Sequence, residues 1–236
     1  MYSKLWLDYE KGPKAKVRSI QVEANDASSL ISHATEELNE ALVIDAEADL
    51  TLELIQTSDK GGDESEAFSV EVNDHTVSIK SSGEEGLLYG AYECIKLLRL
   101  GDLVEGFRKN YVPSTPLRMI DHWDNMDGSI ERGYSGKSFF FKDEKIIVDE
   151  RTKMYARFLA SIRINAVCFN NVNVVGPATE LISPRYYKYL NKLFKIFQSY
   201  GIKPYLSLNY ASSMDLGGPD TADPYDPEHI CWWEEK

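Results

Sequence analysis

The amino-acid sequence predicts an α/β protein in two parts. These are a small N-terminal α+β domain over residues 1–113 and the first three β/α units of an incomplete (β/α)8 TIM barrel over residues 117–236. Three observations predict this fold. Strand-like and helix-like apolar spacings alternate along the first half. Two prolines within Pro113–Pro116 then interrupt any helix. In the second half, three short apolar runs end in polar residues and alternate with helical spacing.

The elements of the first half follow from the spacing of its apolar residues. Alternation of apolar residues, which slips once in the first case, predicts four strands, near residues 17–22, 50–54, 68–72 and 77–79. Asn73-Asp74 predicts a hairpin turn between the last two strands. A spacing of three to four residues predicts helices over 30–42, capped by Asn25-Asp26, and over 87–98. This order is typical of an α+β layer in which helices cover one face of a sheet.

The second half repeats one pattern, in which a short apolar run is followed by polar residues and then by a helix. The apolar runs predict three strands, at residues 117–120, 166–169 and 202–208. Helical spacing predicts helices over 155–162 and over 186–197, the second of which starts at Ser183-Pro184. A final helix is predicted to open at Asp226-Pro227. Runs of this kind are typical of parallel strands buried between helices.

Two architectures fit such strands, a barrel and an open doubly wound sheet. No glycine-rich phosphate loop follows any of the three strands, as a nucleotide-binding open sheet would require. Polar residues after the strand ends are what the active face of a barrel requires, which favours the barrel. Because a barrel needs eight strands and three are predicted, we expect the 236 residues to be a fragment.

Composition and charge narrow the functional classes. The 26 Lys and Arg against 38 Asp and Glu give a net charge of −12, which argues against nucleic acid and against an anionic membrane surface as partners. The N-terminus carries no apolar export signal, and no apolar run approaches the roughly 20 residues of a membrane helix, so we expect a cytoplasmic protein. Cys94, Cys168 and Cys231 are widely separated, which predicts reduced core thiols. The sequence predicts no metal site and no cofactor.

The densest polar stretch, residues 121–134, follows the first barrel-like strand. Trp123 offers a flat face to a sugar ring, or it is an ordinary tryptophan at the rim of the site. Asp124, Asp127 and Glu131 offer the acid and base of a hydrolase, or they make hydrogen bonds that hold a loop. The segment lacks the alternating ligands and the closing glutamate of a calcium loop.

Amides follow the second and third barrel-like strands. Asn170, Asn171 and Asn173 can both donate and accept hydrogen bonds, which suits the neutral hydroxyl groups of a sugar. Asn209 follows the third strand. Each of these amides has a second interpretation as a cap of its own loop. For His122, which also lies in the candidate site, a structural role is favoured because the histidines show no metal-ligand spacing.

The second half resembles a known family. Residues Arg118–Tyr134 resemble the signature of the family 67 glycoside hydrolases, the α-glucuronidases. Asn165–Asn173 and Gly201–Asn209 are similar to the next two barrel strands of that family. The first half, with Trp6-Leu7-x-Tyr9 and Gly86-x-x-Tyr89-Gly90-x-Tyr92, resembles the family's N-terminal α+β domain. The resemblance therefore covers nearly the whole chain.

The resemblance implies an enzyme that removes α-1,2-linked glucuronic acid, or its 4-O-methyl ether, from xylo-oligosaccharides with inversion. Inversion uses two carboxyl groups roughly 6.5–9.5 Å apart. The family takes these groups, and the basic residues that hold the uronate carboxylate, from later barrel strands. We therefore expect the catalytic residues downstream of Lys236. The implied partner is a glucuronic-acid-substituted xylo-oligosaccharide, and the resemblance allows a homodimer of the full-length protein.

The resemblance also assigns substrate-binding residues. Trp123 would line the glucuronic acid pocket, and the loop Asn170–Asn173 would form its wall. Val172 would lie near the 4-position of the sugar. Asn209 joins this set because of its place after the third strand.

Two residues depart from the family pattern. Arg163 stands where the family usually has a glycine, and Pro204 lies inside the third strand, where it removes a hydrogen-bond donor. Both are expected to cost stability. A second hypothesis, from a different class, is a non-catalytic carbohydrate-binding or assembly module that keeps half of the sugar pocket.

Overall fold

The computed structural model describes residues 7–10, 14–25, 27–58, 65–170, 174 and 176–208. The chain divides into two compact units. The first unit comprises Met1–Arg118, Tyr155–Asn165 and Ser199–Ile202, and the second comprises Met119–Met154, Ala166–Gln198 and Lys203–Lys236. Both units contain helices and parallel strand pairs, so the predicted α/β class is confirmed.

The first unit is built on a five-stranded mixed sheet. In spatial order its strands are β2 (Ile20–Glu23), β4 (Thr51–Gln56), β6 (Thr76–Ser81), β5 (Phe68–Asn73) and β7 (Arg108–Tyr111). β2, β4 and β6 run parallel, whereas β5 is antiparallel to both of its neighbours. A separate parallel pair joins β1 (Ala15–Val17) to β3 (Leu42–Ile44). Helices α1 (Ser29–Ala41) and α2 (Glu84–Leu100) pack on each other, and α2 also packs against β5 and β6.

The predicted alternation is confirmed in the central strands β4, β5 and β6. Side chains such as Leu52, Val70 and Ile79 are fully buried, while the residues between them are partly exposed. The turn from β5 to β6 consists of Asp74 and His75, which both have positive φ. This is the conformation that a two-residue hairpin requires. The sheet therefore has one buried face, as the sequence predicts.

Three features of the first unit differ from the sequence prediction. The first predicted strand is two strands, β1 and β2, which pair with different partners. Helix α1 is capped by Ser28, whose hydroxyl accepts the Ile31 N–H at 3.3 Å, and the predicted cap at Asn25-Asp26 was wrong. Strand β7 was not predicted, because its polar and largely exposed side chains give no apolar alternation. An edge strand does not need an apolar face.

Helix α2 is buried on more sides than the single apolar face that the sequence predicts. Every residue from Gly86 to Ile95 is buried. A Cβ atom on Gly86 would lie 2.1 Å from Oγ of Ser81 and 2.6 Å from the carbonyl oxygen of Ala67. Gly90, one turn later, makes a similarly close approach. The two glycines therefore let the helix backbone lie directly on the sheet.

A buried glutamate of α1 is fully hydrogen-bonded within the first unit. Glu37 is 4% exposed, and its carboxylate accepts hydrogen bonds from the Tyr9 hydroxyl at 2.7 Å and the Tyr92 hydroxyl at 3.1 Å. The guanidinium of Arg157 donates to both carboxylate oxygens. A buried charge is tolerated when it is paired and hydrogen-bonded in this way.

A second buried glutamate, Glu93 of α2, has a comparable set of partners. Its carboxylate accepts hydrogen bonds from Arg163 at 2.5 Å, from the Lys96 ammonium at 2.7 Å and from the Tyr111 hydroxyl at 3.1 Å. Arg163 has a φ of +64°, in the left-handed region that favours glycine. This backbone conformation gives a physical cause for the expectation that a non-glycine residue at position 163 costs stability.

The second unit contains a three-stranded parallel sheet. Its order is β12 (Lys203–Tyr205), β11 (Ala166–Cys168) and β8 (Met119–Asp121). A short hairpin pairs β9 (Phe141–Lys142) with β10 (Lys145–Ile146). Helix α3 (Glu150–Ser161) lies between β8 and β11 in the chain, and a 3-10 helix (Gly176–Ile182) and helix α4 (Pro184–Gln198) lie between β11 and β12.

The sequence predictions for the second unit are confirmed in part. Helix α4 begins at Pro184, and the predicted apolar residues Tyr186, Leu190, Leu193 and Phe197 are buried. Strand β12 is shorter than the predicted 202–208, and Pro204 at its centre has no N–H for a ladder. The predicted final helix lies outside the described residues. Among the described helices, none has the length and apolarity to cross a bilayer.

Candidate active site

The carboxyl ends of the three parallel strands lie side by side in the second unit. Cys168 at the end of β11 is the register partner of both Asp121 on β8 and Tyr205 on β12. The His122 N–H donates to the Cys168 carbonyl at 3.0 Å, which extends the pairing by one residue. The segments that leave this edge are His122–Asp124, Phe169-Asn170 and Leu206-Ser207. Proteins with parallel sheets place their ligand sites at such an edge.

Asn170 connects two of these segments through its side-chain amide. The amide nitrogen donates to the Ser207 carbonyl at 3.0 Å, and the amide oxygen accepts the Ser207 N–H at 2.8 Å. Asn170 is 1% exposed and Ser207 is partly exposed, so both bonds are partly buried. The side chain thus replaces a backbone peptide group beyond the end of β11. The geometry supports the structural interpretation of this amide, and its predicted contact with substrate stays a prediction.

Replacing Asn170 by alanine is expected to lower the free energy of unfolding by about 1–2 kcal/mol, because both backbone groups of Ser207 lose their buried partner. A urea titration of the purified polypeptide measures this difference. Asn191→Ala, on the exposed side of α4, is the matched control and should not lower the midpoint, because alanine is the better helix former. Equal midpoints for the two variants would contradict the bridging role.

His122 and Asp124 flank Trp123 and point into the second unit. Oδ2 of Asp124, a buried residue, lies 3.4 Å from Nδ1 of His122. The imidazole meets the Phe140 ring edge to face, with the ring centroids 4.9 Å apart. Phe140 belongs to an aromatic cluster that also contains Phe169, Phe194 and Phe197. These contacts agree with a structural role for His122.

Trp123 lies at the start of a closed loop, and its side chain is 40% exposed. Its carbonyl oxygen accepts the Glu131 N–H at 2.7 Å. Asp124 and Ile130 form an antiparallel bridge directly inside that bond. The loop backbone is therefore fixed on both sides of Trp123, while the indole keeps a large accessible surface. Such an arrangement can present a flat ring to a ligand.

The loop carboxylates Asp127 and Glu131 are occupied by nearby donors. Asp127 accepts hydrogen bonds from the Ser129 hydroxyl at 2.7 Å and the Ser129 N–H at 2.8 Å, which lower the pKa of this carboxyl. The hydroxyls of Tyr134 and Ser135 lower the pKa of Glu131. Both side chains thus hold the loop together. The geometry favours this interpretation over an acid and base pair.

Two of the six predicted substrate-binding residues, Trp123 and Asn170, lie at this edge of the sheet. The other four lie outside the described residues, and their roles stay predictions: Asn171, Val172, Asn173 and Asn209. Among the residues that the structure describes, no group of three or more His, Cys, Asp or Glu side chains could hold a metal ion.

Sequence reasoning did not single out Ser207 or Phe140. Ser207 takes part through its backbone groups, which carry no residue-specific signal. Phe140 lies within Phe139-Phe140-Phe141, an apolar triplet in an otherwise polar segment. Both Phe140 and Phe141 are fully buried, so the triplet was a usable sign that this loop folds back onto the core.

Comparison with known proteins identifies the family. The model of the "glycosyl hydrolase family 67 middle domain" matches residues 97–236, more than half of the chain. The chain belongs to glycosyl hydrolase family 67. The family 67 chain is 43% identical over 169 residues to the probable α-glucuronidase A of Aspergillus terreus. The aligned region covers 71% of the chain and 20% of the relative. It is 48% identical over 161 residues to the probable α-glucuronidase A of Aspergillus oryzae, which covers 67% of the chain and 19% of the relative. The family 67 chain thus spans about a fifth of the length of these relatives.

Two solved carbohydrate-active enzymes share the fold of the family 67 chain. One is a family 115 4-O-methyl-α-glucuronidase with specificity for decorated arabinogalactans. It superposes with a TM-score of 0.55 at 14% identity, over 92% of this chain and 33% of that chain. The other is a family 138 enzyme targeting pectin rhamnogalacturonan II, with a TM-score of 0.54 at 15% identity, over 80% and 24% of the two chains. At these identities the likeness shows the fold alone.

Proposed function

We propose that these 236 residues are the opening part of a longer α-glucuronidase. The enzyme would remove α-1,2-linked glucuronic acid, or its 4-O-methyl ether, from xylo-oligosaccharides. The observation that carries this proposal is the family 67 match over residues 97–236, together with relatives named probable α-glucuronidase A. The family signature Arg118–Tyr134 covers strand β8 and the closed loop that holds Trp123.

The proposed architecture is an N-terminal α+β domain over residues 1–113 and the start of a (β/α)8 barrel over residues 117–236. The order of the parallel sheet supports it, because β8, β11 and β12 lie side by side in the order in which they occur along the chain. Helices α3 and α4 lie between them. Successive strands of a barrel are added in this way.

In this proposal the chain supplies part of the sugar pocket, while the acid and base of the inverting reaction come from residues after Lys236. Inversion requires one carboxyl group that protonates the leaving oxygen and one that activates water. The described carboxylates near Trp123 support this division of labour, because Asp124 contacts His122 while Asp127 and Glu131 are hydrogen-bonded within their loop. Trp123 would contact the glucuronic acid ring.

The proposal is tested on the full-length polypeptide to which these residues belong and, in parallel, on the 236 residues alone. Release of 4-O-methylglucuronic acid from an aldouronic acid is followed by proton NMR, which also gives the anomer formed first. We expect inversion by the full-length polypeptide and no release by the 236 residues. Release by the 236 residues alone, or retention by the full-length polypeptide, would contradict the proposal.

Replacing Trp123 by alanine in the full-length polypeptide is expected to lower kcat/KM for the aldouronic acid about tenfold, because the flat face that contacts the sugar is lost. Trp123→Phe keeps a ring and should recover most of the activity. Steady-state kinetics on the three proteins measure the effect. An alanine variant with unchanged kcat/KM would remove Trp123 from the pocket.

The proposal extends to the setting of the enzyme. We place it in the cytoplasm, where short xylo-oligosaccharides would have to be imported, and we propose a homodimer of the full-length polypeptide. Cell fractionation and light scattering test these two statements separately.

A further inference from the structure

A cavity of about 380 Å³ lies within the first unit. Its buried residues include Tyr89 of α2 and Phe68 of β5, and its exposed rim includes Asn110, Val112 and Ser114. The volume is within the range of small-molecule pockets, which begins at about 300 Å³. The proposed reaction makes no use of this cavity, whose lining shares one residue, Arg118, with the family signature.

The Tyr89 hydroxyl has no hydrogen-bond partner among the residues that the structure describes. The residue is 1% exposed, so bulk water cannot supply the missing hydrogen bond. Burial raises the pKa of Tyr89, the Glu66 carboxylate adds to the rise, and the Arg118 guanidinium opposes it. Both of these charged residues line the same cavity as Tyr89. A buried hydroxyl without a partner is rare in folded proteins, and a bound ligand or water would supply the missing acceptor.

The Glu66 carboxylate in the cavity wall is already hydrogen-bonded. The two carboxylate oxygens of Glu66 accept hydrogen bonds from Asn165 at 2.8 Å and from Arg118 at 2.5 Å. The same Arg118 also donates to the carbonyl oxygens of Thr115 at 2.7 Å and Arg163 at 2.6 Å. Both oxygens of this carboxylate therefore have donors within the protein.

The donors of the wall come from Tyr89 and from two guanidinium groups. Each guanidinium carries five N–H groups, of which the described hydrogen bonds use three in Arg118 and one in Arg163. The remaining N–H groups can donate hydrogen bonds to a carboxylate, which accepts them at both oxygens. Apolar side chains of Phe68 and Ile162 complete the lining and suit the C–H face of a ring.

We propose that this cavity binds a monosaccharide-sized organic carboxylate, with the Tyr89 hydroxyl and the Arg163 guanidinium donating hydrogen bonds to it. The site is separate from the catalytic pocket and does not depend on the proposed function. A hexuronate has the required size, ring and charge. D-glucuronate is therefore a suitable probe, and D-glucose is its uncharged counterpart.

Isothermal titration calorimetry of the full-length polypeptide tests the proposal. The titrations use a Trp123→Ala background, which weakens binding at the proposed catalytic pocket. We expect saturable heat with D-glucuronate and none with D-glucose. Adding Tyr89→Phe should weaken glucuronate binding about tenfold, because one hydrogen bond to a charged group is lost. Equal binding of glucose and glucuronate, or no saturable heat at all, would overturn the proposal.

Matched controls separate this site from a structural role and from catalysis. Tyr187→Phe, on the exposed side of α4, should not change glucuronate binding. Without ligand, Tyr89→Phe should keep the melting temperature, because the described hydroxyl has no partner to lose. With otherwise native sequence, Tyr89→Phe should also keep the rate of aldouronic acid hydrolysis. Identical glucuronate affinity with and without the Tyr89 hydroxyl would show that the cavity is only hydrated.

Discussion

Replacing Arg157 by methionine is expected to lower the free energy of unfolding by about 3–5 kcal/mol. The guanidinium is the cationic partner of Glu37, a glutamate that is almost completely buried. Without it, the carboxylate keeps two tyrosine hydroxyls but loses its counter-charge in an environment that water does not reach. Urea titration of the purified polypeptide, with hydrogen exchange read on α1, measures the loss.

Two further variants show whether the charge is the cause. The double variant Glu37→Met with Arg157→Met removes both charges, and it should recover much of the stability because no buried ion is left unpaired. Arg185→Met breaks an exposed pair with Glu180 and should leave the urea midpoint unchanged. If the double variant is as unstable as Arg157→Met alone, lost packing rather than the unpaired charge explains the result.

Replacing Gly86 by alanine is expected to cost about 3 kcal/mol of unfolding free energy. The new methyl group would lie within 2.6 Å of the Ala67 carbonyl oxygen and closer still to the Ser81 hydroxyl. Since Ala67 presents a backbone atom, the helix itself must move away from the sheet. This strain outweighs the roughly 1 kcal/mol that alanine gains over glycine inside a helix.

Gly101→Ala is the control for this variant, measured by the same urea titration. Gly101 ends α2 with a φ of +73°, and an added Cβ there meets no atom within 4 Å. Its cost is therefore limited to the left-handed backbone, about 1 kcal/mol. Gly86→Ala should be clearly the less stable of the two. An equal loss at both positions would contradict the close packing of α2.

The sequence predicted the elements whose side chains alternate between core and solvent. Strands β4 to β6 and helix α4 were found because burial of one face imposes a period on the residues. Strand β7 was not found, since its stability depends on backbone pairing with β5 and its side chains are polar. The Ser28 cap was missed for another reason. Asn25 and Asp26, earlier in the chain, are equally good capping residues, so the sequence could not distinguish between them and Ser28.

The candidate site was predictable in position but not in detail. Of the predicted site residues, Trp123 and Asn170 lie at one edge of a parallel sheet, because the carboxyl ends of parallel strands meet there. The amide of Asn170 could not be assigned from sequence, as its partner Ser207 lies 37 residues away and contributes only backbone atoms. The roles of Asp127 and Glu131 were ambiguous in the sequence, because the groups that donate hydrogen bonds to them are identified only in the folded loop.

The left-handed backbone of Arg163 links two features of the first unit. A glycine at position 163 would relieve the backbone strain, but it would remove the guanidinium that binds Glu93 and lines the cavity. Strain at one residue thus accompanies the placement of a positive charge between a buried carboxylate and a cavity.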